Sequence, residues 1–255
     1  MFDGQTTFTY DGRPIADILA EEAPAPPRFG SHDDFTVYVM GPYTAFSAAY
    51  AYDDGHRLET PFQRDPLFDP AEHVTDDGQG DMEQALRDFC EGLRARLGVR
   101  AFVATDIDIP THRQAHEANA SRGDDGPEVV GMDPLEQSIA FAAHSDAVLF
   151  LFTQGGLTTG VGTETGGILG EFHLRRGNPA TTHKPGQRVA IYQDEGFGSA
   201  TVDELPYGFD VRYDTFDTKA TLHGKVRNWL DSLARESRDT DLPVFVPGET
   251  YARTE

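Results

Sequence analysis

Residues 147–174 read AVLFLFTQGGLTTGVGTETGGILGEFHL, and this stretch decides the fold. It opens with six consecutive apolar residues, as expected for a parallel strand that is covered on both faces. A glycine-rich segment follows at 160–167, and residues 168–174 have the composition of a helix. A strand, a glycine-rich turn and a helix in this order create a place where backbone N–H groups can hold an anion or a sugar. The stretch therefore predicts an α/β fold with a ligand site after this strand.

The predicted turn carries one carboxylate, Glu164. Its neighbours Gly160, Gly162 and Gly166 allow a ligand to approach the backbone closely, and we group Thr163 with them as ligand-binding residues. A phosphate cradle would have a lysine or a bare backbone here, whereas a carboxylate suits contact with a ribose or attack on an anomeric carbon. The alternative is open at this point, because such turns also serve packing alone and a lone glutamate can stabilise a helix dipole.

The composition excludes several classes of partner. The 255 residues include 43 Asp and Glu against 21 Lys and Arg, a net charge of -22 that is spread along the chain. Such an excess is typical of adaptation to a high-salt cytoplasm, where screening removes the repulsion. Duplex nucleic acid is excluded as a partner, because no basic stripe exists to neutralise its phosphates.

The termini and the apolar runs predict a cytoplasmic protein that does not bind membranes. The N-terminus lacks the basic and apolar regions of a signal peptide, and no apolar run approaches the ~18 residues that span a bilayer. The single cysteine, Cys90, cannot form an internal disulfide, and we expect it to be a buried apolar residue.

Strand-like and helix-like segments alternate along the chain, which implies parallel pairing with right-handed crossovers. The predicted strands, in chain order, are Thr36–Met40, Arg100–Ile109, Ala147–Thr153, Arg188–Gln193 and Phe209–Phe216. The predicted helices are Ile15–Glu22, Asp81–Leu97, Asp133–His144, one from the glycine turn to about Arg176, and Lys219–Ala234. We predict a flavodoxin-like three-layer α/β sandwich with a five-stranded parallel sheet of order 2-1-3-4-5.

The composition along the sequence divides the chain into three parts. Residues 1–33 are predicted to be a peripheral extension with a Pro-rich linker, 34–236 a single α/β domain, and 237–255 a polar tail. Residues 44–80 and 111–130 are predicted to be long polar loops. Loops of this length are uncommon unless they are lids, binding loops or disordered.

The predicted strand order places the switch point between the first and third strands, where open α/β sheets bind ligands. Gly41, Pro42 and Tyr43 follow the first strand and the glycine-rich turn follows the third. The two segments are therefore expected to flank one cleft.

These motifs resemble those of nucleoside 2-deoxyribosyltransferases. They are a strand ending in Gly-Pro-Tyr, a helix opened by Asp133, an aspartate before an apolar strand, and the pattern Gly-x-x-x-Glu-x-Gly around Glu164. Over roughly residues 35–195 the chain is also similar to TIR-like and SLOG-like nucleotide-processing domains. The Gly-Pro-Tyr and Gly-Val-Gly signatures look like those of an uncharacterised haloarchaeal domain family.

The resemblance implies roles for particular residues. Glu164 would attack the anomeric carbon, Asp133 would contact the base and aid proton transfer, and Gly41, Pro42 and Tyr43 would line the pocket. The chain departs from the transferases at Thr158, where they carry an aspartate that contacts a sugar hydroxyl.

The resemblance implies hydrolysis or transfer of the N-glycosidic bond of a nucleoside or nucleotide. The alternatives are a non-catalytic module that binds or senses a nucleotide ligand, and a structural domain with a vestigial cleft. We predict no cofactor and no metal: His112 and His116 lie four residues apart, but no second cluster completes a site. The expected partner is the small-molecule substrate, and homo-oligomerisation is left open.

Overall fold

The structure is a computed structural model. It describes residues 8–27, 32–43, 45–47, 65–76, 78–122, 127–155, 159–175, 188–209 and 211–239. Thr158, most of the predicted loop before residue 65 and the tail after residue 239 lie outside the described residues.

A five-stranded sheet with all strands parallel forms the centre of the protein, which confirms an α/β fold. Two short strand pairs are antiparallel and stand apart from it. In chain order the strands are β1 (Thr9–Tyr10), β2 (Arg13–Pro14), β3 (Thr36–Met40), β4 (Ala45–Ser47), β5 (Gln79–Asp81), β6 (Arg100–Phe102), β7 (Ala147–Phe152), β8 (Val189–Asp194) and β9 (Arg212–Phe216).

With strands numbered along the whole chain, the order in the large sheet is β6-β3-β7-β8-β9 and not 2-1-3-4-5. The numbers differ because the four short strands outside this sheet, β1, β2, β4 and β5, are counted as well. In terms of residues, β3 lies between β6 and β7, with Tyr38 opposite Phe102 on one side and Val148 on the other. β8 pairs with β7, and β9 forms the far edge.

Helices cover both faces of the sheet. They are α1 (Ile15–Glu22), α2 (Pro70–His73), α3 (Met82–Leu97), α4 (His112–Arg122), α5 (Pro134–His144), α6 (Thr159–Arg175), α7 (Ala200–Phe209) and α8 (Lys219–Asp239). The ends of α3 follow ordinary capping rules: the Asp81 carboxylate accepts a hydrogen bond from the Gln84 N–H, and Gly98 ends the helix at φ 69°.

The sheet separates two apolar cores. α1, α5, α6 and α7 pack on one face, while α3 and α8 pack on the other. Side chains of β3 alternate between them, with Tyr38 and Met40 in the first core and Val37 and Val39 in the second. Every residue of β3 and β7 is buried, which explains why both strands are apolar at successive positions.

Three predicted segments need correction. The strand predicted for 100–109 ends at Phe102, because the Asp106 carboxylate accepts a hydrogen bond from the Val103 N–H and residues 104–106 form a 3-10 turn. The loop predicted for 111–130 contains α4, on which Ala115 is the one buried residue, so no apolar stripe marks it. The strand predicted to begin at Phe209 begins at Arg212, because α7 extends to residue 209.

Two further corrections concern the edges of the predicted domain and the glycine-rich segment. Ile15, Ile18 and Leu19 of α1 are fully buried, so this part of the predicted extension belongs to the core and is not peripheral. Residues 44–80 include β4, which pairs with β5, and α2. The glycines at 160–167 lie inside α6 and do not form a turn before it.

None of the described helices combines the length and the apolar character that crossing a bilayer requires.

Candidate functional site

Two of the segments that carry predicted site residues follow β3 and β7. These two strands are adjacent and parallel, so Gly41-Pro42-Tyr43 after β3 and residues 153–155 after β7 lie at the same edge of the sheet. The chain leaves β3 toward the layer of α3, and it leaves β7 toward the opposite layer, which contains α6. This divergence is the topological switch point at which open α/β sheets bind ligands.

Glu164 is half-buried on α6 and takes part in a chain of side-chain hydrogen bonds. The Ser138 hydroxyl of α5 donates to Glu164 Oε1 at 3.2 Å, and the Tyr38 hydroxyl of β3 donates to Ser138 Oγ at 3.4 Å. Burial raises the pKa of Glu164, and the Ser138 hydrogen bond acts in the opposite direction. Three elements thus meet at one carboxylate, and neither Tyr38 nor Ser138 was among the predicted site residues.

Tyr38 is held firmly within the core. Its ring stacks on Phe102 with 5.2 Å between centroids, and Phe141 lies edge-on at 5.7 Å. Burial and the nearby Glu164 carboxylate raise the pKa of Tyr38, so its hydroxyl keeps its proton. The hydrogen bond from Tyr38 therefore ties the Ser138 hydroxyl to a rigid part of the sheet.

Tyr43 is half-buried, and its hydroxyl oxygen accepts a hydrogen bond from the Ala104 N–H at 3.3 Å. Burial is the largest cause of its raised pKa, and the charges of Tyr38 and Glu164 add to it. The Tyr43 hydroxyl thus shares an electrostatic environment with Glu164. No hydrogen bond among the described residues joins Tyr43 to Glu164, and Tyr43 packs against the core on the α3 side of the sheet.

Arg87 of α3 supports the turn that contacts Tyr43. Its guanidinium pairs with Glu83 at 3.0 Å and with Asp106, and it donates to the Thr105 hydroxyl at 2.9 Å. The turn at 104–106 is thereby fixed against α3. The Asp106 carboxylate therefore has a structural role in this network.

Packing accounts for two of the glycines. A Cβ on Gly41 would lie 2.6 Å from Leu86 Cδ2, and one on Gly167 would lie 2.8 Å from Leu135 Cδ1. Gly41 and Pro42 are both buried, so close packing against α3 explains a glycine there without a ligand. Gly167 permits the close approach of α5 and α6.

The predicted ligand-binding glycines of α6 have a different environment. A Cβ on Gly162 or Gly166 would meet no atom of the described residues within 4 Å, and Thr163 is exposed beside them. Gly160 belongs to the first turn of the same helix. Gly162, Thr163 and Gly166 are exposed on α6, and the role of these residues and of Gly160 in ligand binding stays a prediction.

Asp133 is exposed and caps α5. Its Oδ1 accepts hydrogen bonds from the N–H groups of Leu135 and Glu136 at 2.9 and 3.3 Å. Capping of this kind explains an aspartate before Pro134 without any catalytic role. Within the described part of the chain, the recorded contacts of Asp133 do not join it to Glu164.

The histidine and carboxylate groups elsewhere do not form a convincing metal centre among the described residues. His112 and His116 lie exposed on α4. Ligand atoms of Glu72, His73 and Asp88 lie within 4.8 Å of one another. However, His73 Nδ1 accepts a hydrogen bond from the Asp69 N–H, and its Nε2 lies 3.0 Å from Asp88, so both ring nitrogens are already used.

Comparison with known proteins adds one finding. A family model described as "Domain of unknown function (DUF7509)" matches residues 16–246, a range that begins in α1 and includes the whole sheet. No curated protein and no solved structure matches the chain. The match covers most of the chain, and the protein belongs to the DUF7509 family.

Proposed function

We propose that the protein cleaves or transfers the N-glycosidic bond of a nucleoside or nucleotide, with Glu164 acting at the anomeric carbon. One observation carries this proposal: a half-buried carboxylate, hydrogen-bonded by Ser138, lies on the helix that follows β7, one of the two strands that flank the switch point of the parallel sheet. Ligands of such sheets bind at this point, and a carboxylate there can act on a sugar. The resemblance to nucleoside 2-deoxyribosyltransferases also supports the proposal.

The proposed chemistry proceeds in two steps. A carboxylate oxygen of Glu164 forms a bond to the anomeric carbon as the bond from that carbon to the base nitrogen breaks. The base leaves with the electron pair of the broken bond and takes up a proton. Water, or a second base, then displaces Glu164 from the sugar and restores the carboxylate.

Two of the predicted site residues would have supporting roles. The Tyr43 oxygen already accepts the Ala104 N–H, so its own O–H group is directed elsewhere and can donate to a sugar hydroxyl. Asp133 is the proposed partner in proton transfer to the base. Its Oδ1 is engaged in capping α5, so a contact with the base would use Oδ2.

A second function is a non-catalytic module that binds or senses a nucleotide ligand at the same edge. The capping role of Asp133 favours it, because capping alone explains the carboxylate that would otherwise assist proton transfer. A structural domain with a vestigial cleft is the third alternative.

The deciding experiment incubates the protein in molar KCl with a panel of nucleosides, deoxynucleosides and NAD. The release of free base is measured by chromatography. We expect wild-type turnover, and a loss of several orders of magnitude in Glu164→Gln with ligand binding retained, because an amide cannot attack the anomeric carbon. Glu171→Gln is the matched control, since it removes one carboxylate from the same helix. Turnover that survives Glu164→Gln would reject Glu164 as nucleophile. Measurable binding without any wild-type turnover would favour the sensor function.

We also propose that the protein works in a high-salt cytoplasm. The net charge of -22 and its distribution along the chain support this proposal.

A further inference from the structure

We infer that Ser138 is a positioning residue, which receives a hydrogen bond from Tyr38 and directs its own hydrogen bond to Glu164 so that one carboxylate oxygen is fixed and the other faces the substrate. The inference rests on the proposed function and adds to it a residue that neither the sequence motifs nor the family match indicates. Its basis is the geometry of three side chains from β3, α5 and α6.

The direction of these two hydrogen bonds follows from the number of protons that the side chains carry. Tyr38 and Ser138 each carry one hydroxyl proton. If Tyr38 donates to Ser138, the Ser138 proton is free for Glu164, and both bonds form with an ionised carboxylate. In the reverse direction, a protonated Glu164 would donate to Ser138 and Ser138 to Tyr38. The Tyr38 proton would then need another acceptor, and the Tyr38 hydroxyl has no hydrogen-bond partner besides Ser138 among the described residues. The hydrogen bonds from Tyr38 to Ser138 and from Ser138 to Glu164 therefore favour the ionised form of Glu164.

The surroundings make this chain rigid. Tyr38 is completely buried and Ser138 is 2% exposed, so water does not compete for either hydroxyl. The two aromatic neighbours of Tyr38 fix its ring. A hydrogen bond from a fixed donor limits the rotation of the Glu164 carboxylate, which otherwise has a broad terminal torsion.

The two oxygens of Glu164 thereby acquire different roles. Oε1 accepts the Ser138 hydrogen bond, and Oε2 has no hydrogen-bond partner among the described residues. Oε2 is consequently the atom assigned to the anomeric carbon. A nucleophile that is held in an attacking orientation reacts faster than one that rotates freely.

The test measures the protonation of Glu164 directly. Protein with ¹³C-labelled glutamate carboxyl groups is titrated by NMR in molar KCl, and the Glu164 signal is identified by its loss in Glu164→Gln. We expect Ser138→Ala to raise the proton affinity of Glu164 by about tenfold, because a hydrogen bond that stabilises the charged form is lost. Ser138→Thr keeps the hydroxyl and should restore the wild-type titration.

Two further variants make the experiment specific. Tyr38→Phe keeps the stacked ring and removes the first donor, so a smaller change in the same direction is expected. Ser145→Ala is the control, since Ser145 is a buried serine at the end of the same helix whose hydroxyl donates to the Phe141 carbonyl at 2.8 Å. It should leave the Glu164 titration unchanged.

The outcomes separate this inference from the proposed function. A folded Ser138→Ala variant with the wild-type titration of Glu164 would overturn the positioning role, even if base release requires Glu164. A changed titration in Ser138→Ala, with recovery in Ser138→Thr, would support the positioning role even if no substrate is turned over, and in that case only the glycosidic chemistry would fail. In an active enzyme, the acidic limb of the kcat/KM profile should move to higher pH in Ser138→Ala.

Discussion

Asp146 lies at the amino edge of the sheet, far along β7 from the candidate site, and joins three strands. Its Oδ2 accepts hydrogen bonds from the Thr36 N–H at 2.8 Å and the Thr36 hydroxyl at 3.0 Å, and its own N–H donates to that hydroxyl at 3.0 Å. Arg188, just before β8, lies 3.8 Å from Oδ1. Both partners of this ion pair are largely buried, at 12% and 7% exposure for Arg188 and Asp146. We predict that Asp146→Ala strongly destabilises the fold.

The magnitude follows from the groups that lose their partner. A hydrogen bond to a charged group contributes about 1.5–3 kcal/mol, and breaking a buried ion pair costs about 3–5 kcal/mol. These contributions overlap, because the same carboxylate serves both Thr36 and Arg188. The expected loss in unfolding free energy is therefore about 3–5 kcal/mol, a large part of the ~5–15 kcal/mol that stabilises an ordinary domain.

Urea unfolding at one fixed molar KCl concentration measures this loss. Asp133→Ala is the control, because Asp133 is an exposed helix cap and its removal should cost about 1 kcal/mol. Thr36→Val, alone and combined with Asp146→Ala, tests whether the two residues act as a unit. A loss for Asp146→Ala no greater than that of Asp133→Ala would refute the reasoning.

Three further predictions concern packing, pH and salt. Gly166→Ala should raise the unfolding free energy by about 0.5–1 kcal/mol, whereas Gly167→Ala should gain less or lose because of Leu135; a Gly167→Ala variant as stable in urea as Gly166→Ala would contradict this. Burial lowers the pKa of His223 from 6.5 to about 4, so the unfolded chain binds more protons between those values and stability should fall as pH drops through them. Urea midpoints of His223→Gln should change less over that range, and equal slopes would exclude His223 as the cause. The melting temperature should rise between low and molar KCl, and an unchanged value would argue against adaptation to high salt.

The sequence predicts best those elements whose burial leaves a regular pattern. β3 and β7 are buried on both faces, so each is an unbroken apolar run. α3 has an apolar stripe, an aspartate before its first turn and a left-handed glycine after its last. In each case one local signal coincides with the tertiary environment.

Elements without such a pattern could not be predicted. α4 buries only Ala115 among its residues, so its sequence has no periodicity to detect. α7 contains Pro206 and Gly208, which ordinarily mark a loop. In both segments tertiary contacts and capping outweigh local preference.

The candidate site was predictable only in part. Glu164 and Tyr43 come after adjacent parallel strands, and the switch-point rule is what predicts that they share one edge of the sheet. Ser138 lies on the buried face of α5, where a serine among apolar neighbours was the available signal. No local signal indicates that Tyr38 donates to Ser138, because that contact joins residues 100 positions apart.

The glycine content of α6 has a consequence for amide exchange. Five of its residues are glycine, and each lowers the intrinsic stability of a helix by about 1 kcal/mol relative to alanine, about 4–5 kcal/mol in all. α6 should therefore open locally more readily than the sheet on which it packs. Each opening separates Glu164 from Ser138, so a ligand that contacts the carboxylate would also close the helix. Binding should then be visible as slower hydrogen exchange along α6, before any reaction is observed.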